Sequence, residues 1–168
     1  MKNKTVRLLA PLALGLAALT LPAFAQNPTS DEKNLTLDGA KSVLAAAMIV
    51  AKNDEIKTGA IAVVDRSGNL ILLERLDGTF PAASQVATGK ARTAALFQKA
   101  TRNLEDSINK GRTALVAVEG MTPLKGGVPI VIGGKMVGAV GVSGAASQDR
   151  DDEIAIAGAA AFASPQVH

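Results

Sequence analysis

Two glycine-centred turns, each set between a pair of short apolar runs, constrain this 168-residue chain more than any other feature. The first is Asp65-Arg66-Ser67-Gly68-Asn69, between "TGAIAVV" and "LILLER". The second is Gly133-Gly134-Lys135, between "GVPIVI" and "MVGAVGV". Turn residues between apolar runs of strand length define hairpins, because they supply the backbone reversal that joins antiparallel neighbours. Side chains alternate along a strand, so Ile61 and Val63 face one way and Ala60, Ala62 and Val64 the other. Strands are therefore expected from about Ala60 to Val64, Leu70 to Arg75, Gly127 to Ile132 and Met136 to Val142. The β-branched residues of "TALVAVEGM", with turn signals after them, predict one more strand.

Between the hairpins the periodicity changes to that of helices. Ala40, Val43, Leu44, Ala47, Met48 and Ala51 recur at helical spacing behind Thr36, which can cap, and Asn53-Asp54 mark the end. Pro81 suits the start of a second helix. On it Val86, Lys90, Thr93 and Phe97 form one stripe, and Gly89 permits close backbone approach. A third helix is expected from Thr101 to Lys110, ending at Gly111. Ser147 caps a last one, with Asp149, Asp151, Asp152 and Glu153 in its first turn, where the helix dipole favours acids. Ile154, Ala157, Gly158, Ala161 and Phe162 form its expected buried face. Hairpins without βαβ alternation indicate an antiparallel sheet with helices packed on it, of the α/β (α+β) class. Gly138 and Gly141 lie on a strand where a packed helix can approach, and the last helix is the expected partner.

The N-terminus reads as an export signal. Lys2, Lys4 and Arg7 precede an uncharged apolar stretch from Leu8 to Leu21, and Ala23-Phe24-Ala25 offers a small-x-small cleavage site. Pro11, Gly15 and Pro22 interrupt the stretch, which argues against a membrane-spanning helix. The organisation is then 1–25 signal peptide, 26–34 flexible leader and 35–168 a single domain, in a periplasmic or secreted protein. No later segment is long and apolar enough to span a membrane.

Cleavage also removes the positive balance. The whole chain has 18 Lys and Arg against 15 Asp and Glu. Without the three bases of the signal the charges are equal, so no basic surface remains to track phosphates. With no Trp or Tyr and four Phe, there is no platform for stacking bases. Nucleic acid is excluded as a partner on both grounds. The single histidine is His168, and cysteine is absent. Histidine-based catalytic triads and His/Cys zinc sites are excluded unless the tail folds back. A phosphate-binding loop needs Lys followed by Ser or Thr and then a helix, whereas Lys135 is followed by Met136 and a strand. Ser143-Gly144, just past a strand end, offers free amides and a hydroxyl for an anion or carboxylate. An Ala- and Gly-rich chain with few aromatics is expected to bury flat small-residue faces between subunits, giving a homo-oligomer.

Four segments, "IAVVDRSGNLILLERLDG", "KARTAALF", "GGVPI" and "VGAVGVSGA" with a following Asp, occur in the order and at intervals similar to those of the GlcG/HbpS family. That family includes the C-terminal domain of the PduO adenosyltransferases. The resemblance covers about Leu35 to Phe162. It implies a five-stranded antiparallel sheet flanked by helices, homo-oligomers, and in several members the binding of haem or related tetrapyrroles. By position it implies a ligand pocket built from Arg75, Asp77, Lys90, Thr93, Gly126, Gly127, Ser143 and Gly144.

Some members ligate iron through histidine, and here no histidine lies in the domain. Axial candidates reduce to Met48, Met121, Met136, a lysine or His168, with Met121 and His168 foremost. Weak ligation leaves propionate and apolar contacts to hold haem. The reading that follows is an exported small-ligand-binding protein, for haem or a related tetrapyrrole, with a haem-degrading or redox-sensing role. The alternative is an enzyme or accessory oligomeric subunit acting on a small organic acid. In it, Arg75 or Lys90 fixes the carboxylate and Asp65 or Asp77 serves as base.

Overall fold

The computed structural model describes residues 31–163. The expected signal peptide, residues 26–30 of the leader, and His168 lie outside the described residues.

Four antiparallel strands form one sheet in the order β2-β1-β4-β3, with β1 Ala60–Asp65, β2 Leu70–Arg75, β3 Gly127–Ile132 and β4 Lys135–Ser143. Both hairpins form. Asp65 closes the first by accepting the Ser67 and Asn69 amides on Oδ1, both at 2.8 Å. The central pair β1–β4 runs from Ala60 opposite Ser143 to Asp65 opposite Gly138. Directly opposed residues share a face, so this register builds two different surfaces. Ile61, Val63, Val140 and Val142 look to one side and form a core with the helices α1, Leu37–Asn53, and α4, Gln148–Ala159. Ala60, Ala62, Val64 and Ala139 look to the other and meet α2, Ala83–Phe97. A short helix α3, Thr101–Asn109, follows α2.

Local chemistry explains the helix limits. Thr36 Oγ1 accepts the Gly39 amide at 3.1 Å and Ser147 Oγ the Arg150 amide at 3.2 Å, so both expected N-caps form. The α2 side of the sheet is nearly all alanine: Ala83, Ala87, Ala91, Ala94 and Ala95 are buried on it. Side chains this short let the helix backbone descend onto the strands. At Gly141 a Cβ would collide with the Ala87 carbonyl and lie 2.5 Å from the Ala91 nitrogen. The helix resting on Gly141 is therefore α2, not the last helix. Gly158 of α4 instead faces α1, where a Cβ would stand 3.2 Å from the Val43 carbonyl.

The fifth strand does not form among the described residues. Thr113–Ala117 is a 3-10 turn. Its backbone groups close locally: the Leu115 amide bonds Arg112 O, Val118 bonds Leu115 O, and Met121 bonds Val118 O. A strand needs a half-buried face as well as β-branched residues, and this segment has none. Val116 is 67% exposed, and Leu115 is the one residue of the turn that is even half-buried.

Candidate functional site

The inward stripe of α2 carries Lys90 into the interior, where it is 1% exposed. Its ammonium donates to Asp151 Oδ2 at 2.8 Å and to the Val142 carbonyl at 2.9 Å. Asp151, 5% exposed in the first turn of α4, also accepts the Ala145 amide at 2.9 Å. Its neighbour Asp152 accepts the Gly126 amide at 3.3 Å and pairs with Arg102 at 3.1 Å. The Gly127 amide donates to Thr101 Oγ1 at 2.9 Å. Burial pushes both carboxyls above the ordinary carboxylate range. For Asp151 the hydrogen bonds from Lys90 and Ala145 act against it, and for Asp152 the charge of Arg102 and the Gly126 amide do.

Lys90, Gly126, Gly127, Ser143 and Gly144 therefore converge on the start of α4, around an acid that was read from sequence as a helix-dipole residue. As a binding group Lys90 differs from expectation. Its cation is spent inside the protein, held by two partners, and does not open to a ligand. Above it lies a cleft of about 320 Å³ lined by Thr58, Phe80, Gly144, Ala146, Ser147 and Asp151. Phe80 is 49% exposed and leans on Gly144, whose φ of +90° suits a residue without a side chain. Thr58 Oγ1 ties the rim by donating to Gly144 O at 2.9 Å. Arg75 and Asp77 sit on the exposed exit of β2 and line none of the clefts described here.

Thr93 points elsewhere. A second cleft, of about 460 Å³, opens between α2 and the chain that follows the 3-10 turn. The helix contributes Arg92, Thr93, Leu96 and Phe97; the opposing chain contributes Glu119, Gly120 and Met121. Two contacts hold the walls together. Thr93 Oγ1 accepts the Thr122 amide at 2.8 Å. One turn earlier, Gly89 leaves room for Thr122, whose hydroxyl a Cβ would strike. Arg92 and Glu119 are exposed and make no ion pair among the described residues. Leu96 is 52% exposed on the rim.

A third hollow, of about 390 Å³, lies beside Leu35, Val137 and Phe162. Among the described residues no helix is long and apolar enough to cross a membrane.

Fold and clefts define a small three-layer α/β protein with open hollows beside α2, at the strand-end loops and at the start of α1. The chain belongs to the HbpS-like family, described as haem-degrading protein HbpS-like, whose model matches residues 35–160. It is 43% identical to protein GlcG of Escherichia coli K12 over 104 residues, covering 60% of this chain and 78% of GlcG. The crystal structure of HbpS is similar with a TM-score of 0.74 at 34% identity, over 82% of this chain and 96% of that one. A PduOC–haem complex shares the fold, with a TM-score of 0.68 at 24% identity, over 77% and 96% of the two chains.

Proposed function

We propose that this chain is a haem-binding protein, or one for a closely related tetrapyrrole, and that the ligand seats between α2 and Met121. Membership of a family described as haem-degrading supports the ligand class. One observation carries the seat: the second cleft brings a guanidinium with no ion-pair partner among the described residues, a phenylalanine, an exposed leucine and a methionine onto a single hollow of about 460 Å³. That volume falls in the range of small-molecule sites. Of the two charged groups that line this cleft, the Arg92 guanidinium fits a propionate and the Glu119 carboxylate does not, whereas the Phe80–Gly144 cleft offers a carboxylate alone. Arg92 can take a propionate through its planar fork, while Leu96 and Phe97 cover apolar ring surface. Haem when bound supplies redox chemistry at iron. The protein's part is to bind, orient and shield it.

The Phe80–Gly144 cleft is a poorer seat. Its one charged lining group is Asp151, and the lysine that would offset a propionate is already engaged. In this proposal Lys90, Gly126, Gly127, Ser143 and Gly144 shape the end of the sheet, and Arg75 and Asp77 stay at its rim. Thr93 acts at the ligand cleft by fixing its far wall.

Haemin titration of the mature chain, followed by absorbance, tests this. Saturable binding with a shifted Soret band is expected. Arg92→Glu should weaken it roughly ten- to hundredfold, the loss of one charge-assisted contact. Phe80→Ala should leave it unchanged. The opposite pattern would move the ligand to the Phe80 cleft, and non-saturating uptake would sink the proposal.

Export and self-association belong to the same proposal. The charged start, apolar stretch and Ala23-Phe24-Ala25 support cleavage before Gln26. Leu70 and Leu73, exposed on the edge strand β2, support a homo-oligomer. Intact-mass analysis of exported protein should show a chain starting at Gln26, and light scattering at least twice its mass. A chain starting at Met1, or a monomer, would refute the respective part.

A further inference from the structure

We infer that the Met121 thioether is the protein ligand to iron in the α2 cleft. The inference rests on the seat proposed above and adds the atom that makes it specific. Iron in haem proteins is held by imidazole, thiolate, phenolate or thioether, and the lysine amine, also a candidate here, has no representative in the lining of this cleft. The chain has no Cys or Tyr, and its single His is His168. Of its four methionines, Met1 precedes the domain and Met48 packs against the α1–α4 core. Met136 stands opposite Val131 in the second hairpin. Among the described methionines Met121 alone lines the cleft that carries the Arg92 guanidinium.

Its backbone is held on both sides. Gly120, at φ +74°, makes the turn into it, a conformation side chains rarely adopt. The Met121 amide donates to Val118 O at 3.3 Å, and the next amide to Thr93 Oγ1 at 2.8 Å. Thr93 follows Arg92 directly, so one stretch of α2 anchors the propionate cation and positions the sulfur wall. The backbone that carries Met121 is thus fixed at the cleft wall, and its unbranched side chain has the reach to adjust to a metal there. A neutral, soft thioether favours the reduced metal. The site is therefore expected to hold ferrous haem more tightly than ferric.

The test titrates the mature chain with ferric and ferrous haem and reads affinity together with ligation state by absorbance and magnetic circular dichroism. Wild type should show a thioether-type spectrum and the tighter ferrous binding. Met121→Leu, which keeps the apolar bulk, should lose that spectrum and roughly tenfold in ferrous affinity. Met121→His should convert the spectrum to a nitrogen-ligated type. Met136→Leu and His168→Ala should match wild type.

An unchanged Met121→Leu spectrum would overturn the inference, as would loss of ligation in His168→Ala alone. Either result leaves the cleft as the binding seat. If wild type shows no saturable binding, the seat itself fails and the inference with it. Should Met121→Leu not fold, the Met121→His spectrum decides, and no change there also overturns the assignment.

Discussion

Lys90→Ala should lower stability by about 3–5 kcal/mol, the usual consequence of removing one partner from a buried ion pair. For a domain of this size that corresponds to a fall of roughly 10–20 °C in melting temperature. The loss comes less from the lysine's own contacts than from what it leaves behind. Asp151 would remain 5% exposed with the Ala145 amide as a donor but no cation. Lys90→Met with Asp151→Leu should recover most of the loss, since an apolar pair removes both desolvation costs.

The pH dependence has a definite sign. In wild type, burial holds the folded-state Asp151 carboxyl above its unfolded value. Its contribution is therefore full below the unfolded pKa and declines as pH rises through the folded one. Without Lys90 the folded value rises further. The deficit of Lys90→Ala should accordingly be greatest near neutrality and shrink in acid, where the carboxyl is protonated. Urea unfolding at several pH values checks this. A deficit below about 1 kcal/mol, flat with pH, would mean the pair is wetter than its burial implies.

Gly141→Val should be the other severe substitution. Gly141 lies on β4 directly beneath α2, and even a methyl group would strike the Ala87 carbonyl and stand 3.0 Å from Ala91 Cβ. The obstacle is backbone, which cannot rotate aside, so α2 must lift from the sheet. Overpacking costs about 1–3 kcal/mol for an added methylene or two, and a branched side chain should reach or exceed the upper figure. Because α2 carries Arg92 and Thr93, the same shift should also impair haem binding.

Gly39→Ala is the control. Its Cβ would meet the end of the Leu35 side chain, 2.8 Å from Cδ1, which can move. Ala also gains helix propensity over Gly. Near-wild-type stability is expected there, against a clear loss at Gly141, both read by thermal melts. Equal effects would contradict the close α2–sheet packing.

The sheet and caps were legible because their signals are local. Thr36 and Ser147 cap as read, both hairpins close at their glycine turns, and the two faces of β1 separate Ile61 and Val63 from Ala60, Ala62 and Val64. The error over 113–121 has a physical cause: Val116 and Val118 carry strand propensity, but both are left exposed, and the backbone satisfies itself in turns.

The site was legible only in part. The stripe from Lys90 to Phe97 marked α2 as a helix that carries site residues, but Asp151, Lys90's partner, is 61 residues away in sequence. No local pattern joins them. Arg92 and Glu119 were missed because an exposed helix cation and a loop acid look like solvated surface until the fold sets them across one cleft.

The most direct test of the central claim is a crystal structure of the mature protein grown with haemin, with iron located by its anomalous scattering. The account predicts one iron per chain between α2 and Gly120-Met121, next to the methionine sulfur and with a propionate on Arg92. Iron found at the Phe80–Gly144 cleft, or scattered over the surface without a common position, would contradict it.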